Sequence, residues 1–275
     1  MIQAINEMLS YSFLNRALIA GLLISICASL LGVSLVLKKF SMIGDGLSHV
    51  GFGSLAVATA LGLSPLKFTI PIVIIVSFFI LKLNENHKIN GDAAIALVSA
   101  SSLAIGIMAI SITTGVNTDI NNYLFGSILS MGKEDVFISV ILSIVVISLF
   151  IFCYHKIFAV TFDEKFAAST GVKTNLYNIV LAVLCSITVV LGMRMMGALL
   201  ISSLIIFPTL SSMQLFKTFF RVIISACLVS VVCYLIGLTV SYMYATPTGA
   251  SIVIINLIVL LCFTLIGYVK KHIKK

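Results

Sequence analysis

The chain has 275 residues, 60% of them hydrophobic and only 9% charged, with a mean hydropathy of +1.22, against roughly 25% charged in an ordinary soluble domain. This composition excludes a soluble catalytic domain and nucleic-acid binding, and at about 20 apolar residues per span it allows eight to ten membrane helices with short loops. The net charge of +8 reads first as a topology signal, because Lys and Arg collect in cytoplasmic loops.

The expected fold is all-α: a polytopic membrane protein forming a single domain over residues 1–275. In chain order, apolar runs near 17–37, 46–63, 66–83, 92–114, 136–158, 175–193, 196–216, 219–244 and 250–269 predict nine spans. The first reads as a retained span, since no small-residue cleavage site follows it. The second and third are short and separated only by Ser64 and Pro65, and the sixth and seventh meet at Gly192-Met-Arg-Met-Met-Gly197. Half-helices or re-entrant segments there would reduce the count to eight.

Thirteen of the seventeen basic residues fall on one face of this topology, from Lys38 and Lys39 through Lys156, Lys165 and Lys173 to Lys270, Lys271, Lys274 and Lys275. Only Arg16, Lys67, Lys133 and Arg194 fall on the other. The positive-inside rule therefore places the C-terminus in the cytoplasm and the N-terminus outside. Six cysteines lie within apolar runs without a C-x-x-C pair, which predicts packed thiols rather than disulfides or a thiolate metal site.

Ionisable groups inside spans are costly and are functional candidates by default. The strongest lie in Gly44-Asp-Gly-Leu-Ser-His-Val-Gly-Phe-Gly53, at the cytoplasmic start of the second span. Asp45 and His49 are one helical turn apart on one face, with Gly46, Gly51 and Gly53 beside them either to open a groove or to let helices pack closely. A carboxylate with an imidazole suits manganese, iron(II) or zinc rather than copper(I). The alternative is that Asp45 caps the helix and His49 bonds a neighbouring one. Asp92, opening the fourth span, reads as a charge favourable to the helix dipole.

The segment Gly115 to Gly132 is too apolar for an ordinary loop and predicts a short helix at the outer leaflet. Asp119 near its start is either a metal ligand or an N-cap. Arg194 is a gate element or a snorkelling interfacial charge. On the cytoplasmic side, Thr161 and Glu164 form a capping-box pattern and Gly171 a natural C-cap, predicting a short helix over about 161–171 with Phe162 and Phe166 on one face. Such a helix either lies on the membrane surface or docks a cytoplasmic motor. Pro208 within the seventh span predicts a kink, with Ser202 and Ser203 one to two turns earlier available to freed carbonyls or a path. The sequence contains no G-x-x-x-x-G-K-[ST], so any ATP used would be bound by another chain.

Taken together the motifs resemble the permease subunit of ABC-type zinc/manganese/iron importers. The resemblance runs from Lys38-Lys39-Phe40-Ser41-Met42-Ile43-Gly44-Asp45-Gly46-Leu47-Ser48-His49, through Asp119-Ile-Asn-Asn-Tyr-Leu-Phe-Gly126 and Phe162 to Val172. It continues to Gly197-Ala-Leu-Leu-Ile-Ser-Ser-Leu-Ile-Ile-Phe-Pro208 and Thr246-Pro-Thr-Gly249-Ala. It implies a transport subunit rather than an enzyme, with no cofactor of its own, in a prokaryotic plasma membrane. The implied partners are a second permease copy, cytoplasmic ATP-binding subunits and an extracellular metal-binding protein. It further implies that Asp45, His49 and Asp119 line the metal path, and that Asp163, Glu164, Phe166 and Gly171 belong to a coupling helix seated on the ATPase. The competing expectation is an ion-coupled secondary transporter of a small cation, which would usually show inverted repeats.

Overall fold

In the computed structural model the described residues are 11–85, 91–113 and 133–273. They form α1 (Ser12–Leu37), α2 (Ile43–Ala60), α3 (Pro65–Glu85), α4 (Gly91–Ile112), α5 (Lys133–Phe152), α6 (Tyr154–Phe162), α7 (Glu164–Ser169), α8 (Thr174–Met196), α9 (Ala198–Leu215), α10 (Phe219–Tyr244) and α11 (Thr248–Ile273). Eight segments, with α5 and α6 counted as one, are long and apolar enough to cross a membrane. Helix α2 is the ninth long helix and fails that test because Asp45, His49 and its glycines dilute its hydropathy. Protein rather than lipid solvates it: 13 of its 18 residues are buried.

The bundle is ordered as a lipid-facing protein should be. Helices α1, α8 and α9 are central, whereas α4 and α11 expose most of their apolar surface, including Leu97, Ile105, Leu257 and Leu261. Small hydroxyl residues such as Ser25, Ser29, Ser203, Thr209 and Ser230 occupy the interior. Lipid is as apolar as leucine, so helices associate through close packing and interhelical hydrogen bonds instead of hydrophobic burial. Tyr234 Oη donates to the carbonyl of Ala17 at 2.9 Å, and Ser230 Oγ to that of Ser25 at 3.0 Å, joining α10 to α1. The cysteines are all free thiols, with Cys27, Cys185 and Cys233 buried, as expected from their apolar surroundings.

Two turns set the placement of α2 and α9, the helices that carry Asp45 and Ser202. Helix α1 ends with Lys39 in the left-handed region (φ 63), where Lys39 N–H donates to Val36 O and Phe40 N–H to Leu35 O. This is a Schellman closure built without glycine. The α8–α9 junction is a single residue, Gly197, at φ 91 and ψ 157, a conformation essentially reserved for glycine. Met196, Gly197 and Ala198 are buried. Met196 Cε also lies against Gly21, nine residues or about 14 Å along α1 from its start. The two helices thus meet inside the bundle, each unbroken over 23 and 18 residues. An irregular turn at that depth is tolerated because protein surrounds it.

Candidate functional site

Helix α2 begins at Ile43 with Met42 as a cap that offers no side-chain hydrogen bond. Asp45 sits in the first turn, and its carboxylate is engaged elsewhere: Ser202 Oγ of α9 donates to Asp45 Oδ1 at 3.2 Å. Ser202 lies one turn inside α9, near the positive end of that helix dipole, which favours an anion nearby. One turn along α2, His49 Nε2 stands 3.7 Å from Asp45 Oδ2, with the two side chains 26% and 41% exposed. His49 Nδ1 is buried without a hydrogen-bond partner among the described residues. Among the described residues the capping bond is absent, and so is the bond from His49 to a neighbouring helix.

Asp45 and His49 line one wall of a cavity of about 310 Å³, and Asp92, Ala96 and Ser99 of α4 line the other. Asp92 does lie in the first turn of α4, favourable to the dipole, but it also faces this cavity. A 3.7 Å separation of oxygen and nitrogen suits a shared cation: at ligand distances of about 2.1 Å the two atoms would subtend roughly 120°. Among the described residues no three His, Cys, Asp or Glu side chains converge closely enough to hold a metal ion. The pair by itself thus offers two donor atoms beside the cavity. Asp119, and the outer helix expected around it, lie outside the described residues.

The glycines of α2 do not form the open groove that was one expectation. A Cβ at Gly53 would lie 2.3 Å from Ser102 O, one at Gly46 2.5 Å from Ile95 Cγ2, and one at Gly51 3.0 Å from Met193 Cε. They let α4 and α8 approach α2 closely, as small residues do in membranes. The cavity lies instead on the face that carries Asp45 and His49.

Ser202 and Ser203 are expected either to satisfy carbonyls freed near Pro208 or to line a path; Ser202 bonds Asp45 and shares its proton with Ala198 O, while Ser203 bonds Leu200 O. Neither reaches the carbonyl of Leu204 that Pro208 frees. Asp45 and Ser202 are 157 positions apart, so no local signal joins them.

The segment expected as one helix over 161–171 is divided. Thr161 and Phe162 belong to α6, and the chain breaks at Asp163, whose extended backbone and side chain N-cap α7 by accepting from Phe166 N–H at 2.9 Å. Asp163, not Thr161, is the cap, because Thr161 is buried within α6. Phe162 packs on Phe158 and Phe219, so it does not share a helix face with Phe166. Glu164 turns toward the bundle: its Oε1 accepts from Asn178 Nδ2 at 2.7 Å and its Oε2 lies 3.5 Å from Lys38 Nζ. Gly171, at φ 83, closes the helix as expected, with Val172 N–H bonded to Ala167 O. Phe166 is the large apolar side chain that α7 leaves outward, 65% exposed, above buried Ala167.

Residues 10–267 match the family described as "ABC 3 transport family". The chain is 28% identical over 268 residues to the manganese import system permease protein ScaB of Streptococcus gordonii, covering 96% of this chain and 95% of that protein. It is 29% identical over 255 residues to the high-affinity zinc uptake system membrane protein ZnuB of Buchnera aphidicola, covering 92% and 96%. Among solved structures, PsaBC from Streptococcus pneumoniae in complex with Fab matches with a TM-score of 0.85 at 27% identity, over 96% of this chain and 95% of that one.

Proposed function

The chain belongs to the ABC 3 transport family, and on that premise we propose that it is the permease subunit of an ATP-driven importer of a divalent transition metal ion, manganese or zinc, with iron(II) admissible at the same ligands. The Asp45–His49 pair carries this reading. A hard carboxylate and a borderline imidazole are set for one cation, the carboxylate is oriented by Ser202, and a second carboxylate, Asp92, faces the same cavity. A partial shell suits transit, since a pathway site must bind well enough to admit the ion and weakly enough to release it. Relatives named for manganese and zinc transport support the choice of metals. Family membership favours this reading over an ion-coupled secondary transporter.

The same chemistry calls for partners. Asp45 is 41% exposed on its side chain, and a carboxylate within a membrane bundle does not face lipid, so a second copy of the permease covers the cleft. The sequence carries no phosphate-binding loop, so ATP is hydrolysed by a separate cytoplasmic subunit, on which α7 docks through Phe166. The C-terminus then lies in the cytoplasm with Lys38, Lys165 and Lys173, and an extracellular binding protein delivers the ion from the opposite side.

Asp45→Asn tests the site. Asparagine caps helices as well as aspartate does but lacks the anionic ligand. Uptake of radiolabelled manganese and zinc at matched permease abundance should collapse. Near-normal uptake of both metals would reject the metal-site role.

A further inference from the structure

Three groups from three helices converge on the end of the bundle that carries α7. Lys38 Nζ hydrogen-bonds Asn178 Oδ1 and lies 3.5 Å from Glu164 Oε2, while Asn178 Nδ2 donates to Glu164 Oε1 at 2.7 Å. Lys38 ends α1, Glu164 opens α7, and Asn178 stands in the first two turns of α8. Only 12% of the Lys38 side chain is exposed. Burial lowers its pKa, and the facing Glu164 carboxylate raises it back in part. Helix α7 is otherwise lightly held, packing on α6 and α8 with Ala167 as its one buried residue.

The path from Lys38 to the metal pair is short and stiff. Phe40 N–H is bonded to Leu35 O, Ile43 N–H to Phe40 O and Gly46 N–H to Met42 O, so the closure of α1 runs directly into the first turn of α2. Asp45 is the third residue of that helix. Glu164, Lys38 and one hydrogen-bonded turn thus connect α7 to Asp45, while Asn178 ties the same joint to α8.

We propose that Lys38, Glu164 and Asn178 form the mechanical joint that transmits movement of α7 to the metal-binding turn of α2, with Lys38 as its positioning residue. The inference rests on the importer reading above and adds to it the groups that link docking helix to site. Glu164 then acts by gripping the permease's own α1 and α8, and Phe166 is left to face the ATPase.

The test uses the complete transporter, purified from its native cell by a tag on this chain and reconstituted in proteoliposomes with manganese, measuring manganese moved per ATP hydrolysed. Lys38→Met should leave the ATPase copurifying and hydrolysing at its basal rate, while manganese per ATP falls about fivefold or more, within the range of coupling energies between linked sites. Lys38→Arg, which keeps charge and reach, should restore the ratio; a purely structural role would not separate these two at matched assembly. A wild-type ratio in Lys38→Met overturns the joint while leaving the importer intact. If Lys38→Met fails to assemble, Glu164→Gln carries the test: a fallen ratio supports the joint and a wild-type ratio overturns it. Where zinc or iron(II) moves and manganese does not, that ion replaces manganese in the ratio; a native preparation in which no ATPase copurifies, or in which none of the three ions moves, refutes the importer reading and the joint with it.

Discussion

Replacing Gly53 by alanine should force α2 and α4 apart. The new Cβ would lie 2.3 Å from Ser102 O, and ordinary contact begins at 3.4 Å, so the helices must separate by about 1.1 Å, the difference of the two. Overpacking of this kind costs typically about 1–3 kcal/mol, against a gain of about 1 kcal/mol from alanine's better helix propensity. The net loss is therefore up to about 2 kcal/mol, and the separation widens the cavity wall that holds Asp92 and Ser99. Gly46→Ala is the informative contrast. Its Cβ would meet Ile95 Cγ2 at 2.5 Å, a side chain rather than a backbone. Ile95→Ala removes that atom, so although it costs about 2–5 kcal/mol alone, it should compensate Gly46→Ala by a coupling of about 0.5–3 kcal/mol. Ser102→Ala should give Gly53→Ala no relief, because the obstructing atom is a carbonyl oxygen. Thermal unfolding of the purified permease in detergent, single and double variants side by side, measures these energies, and metal uptake at matched abundance reads the widened cavity. A melting temperature for Gly53→Ala above that of the wild type, or rescue by Ser102→Ala as strong as that of Gly46→Ala by Ile95→Ala, would refute the close packing of α2 on α4.

At the α8–α9 junction, Gly197→Ala places a side chain at φ 91 and ψ 157 and should cost about 1–3 kcal/mol, visible as a lower melting temperature. In contrast, Val57→Ala, at a partly buried helical position of α2, should change it less. The orientation is tested by single cysteines in place of Lys133 and Lys165, both exposed, in a background without native cysteines. An impermeant thiol reagent applied to intact cells should label position 133 and not 165; labelling of both from outside would overturn the nine-span topology.

Much of this protein is legible without tertiary information because the membrane simplifies the problem. A helix that must satisfy its own backbone in lipid announces itself by length and apolar composition alone, and so the spans, the free cysteines and the capping glycine at 171 are found locally. Asp45 and His49 are found for the same reason: ionisable groups stand out against an apolar background, and a spacing of four places them on one face.

What local sequence does not contain is which helices touch. Ser202 orients Asp45 from 157 positions away, Asp92 reaches the cavity from the start of another helix, and Glu164 bonds Lys38 and Asn178 instead of closing a capping box. The glycines of α2 fit equally an open groove or a close contact until Ser102, Ile95 and Met193 are seen against them. Composition and periodicity determined the helices and singled out Asp45 and His49 as ionisable candidates on one face. The pairing of those helices follows from the close approach of small residues and the matching of buried polar groups, interactions between distant segments that only the packed bundle defines.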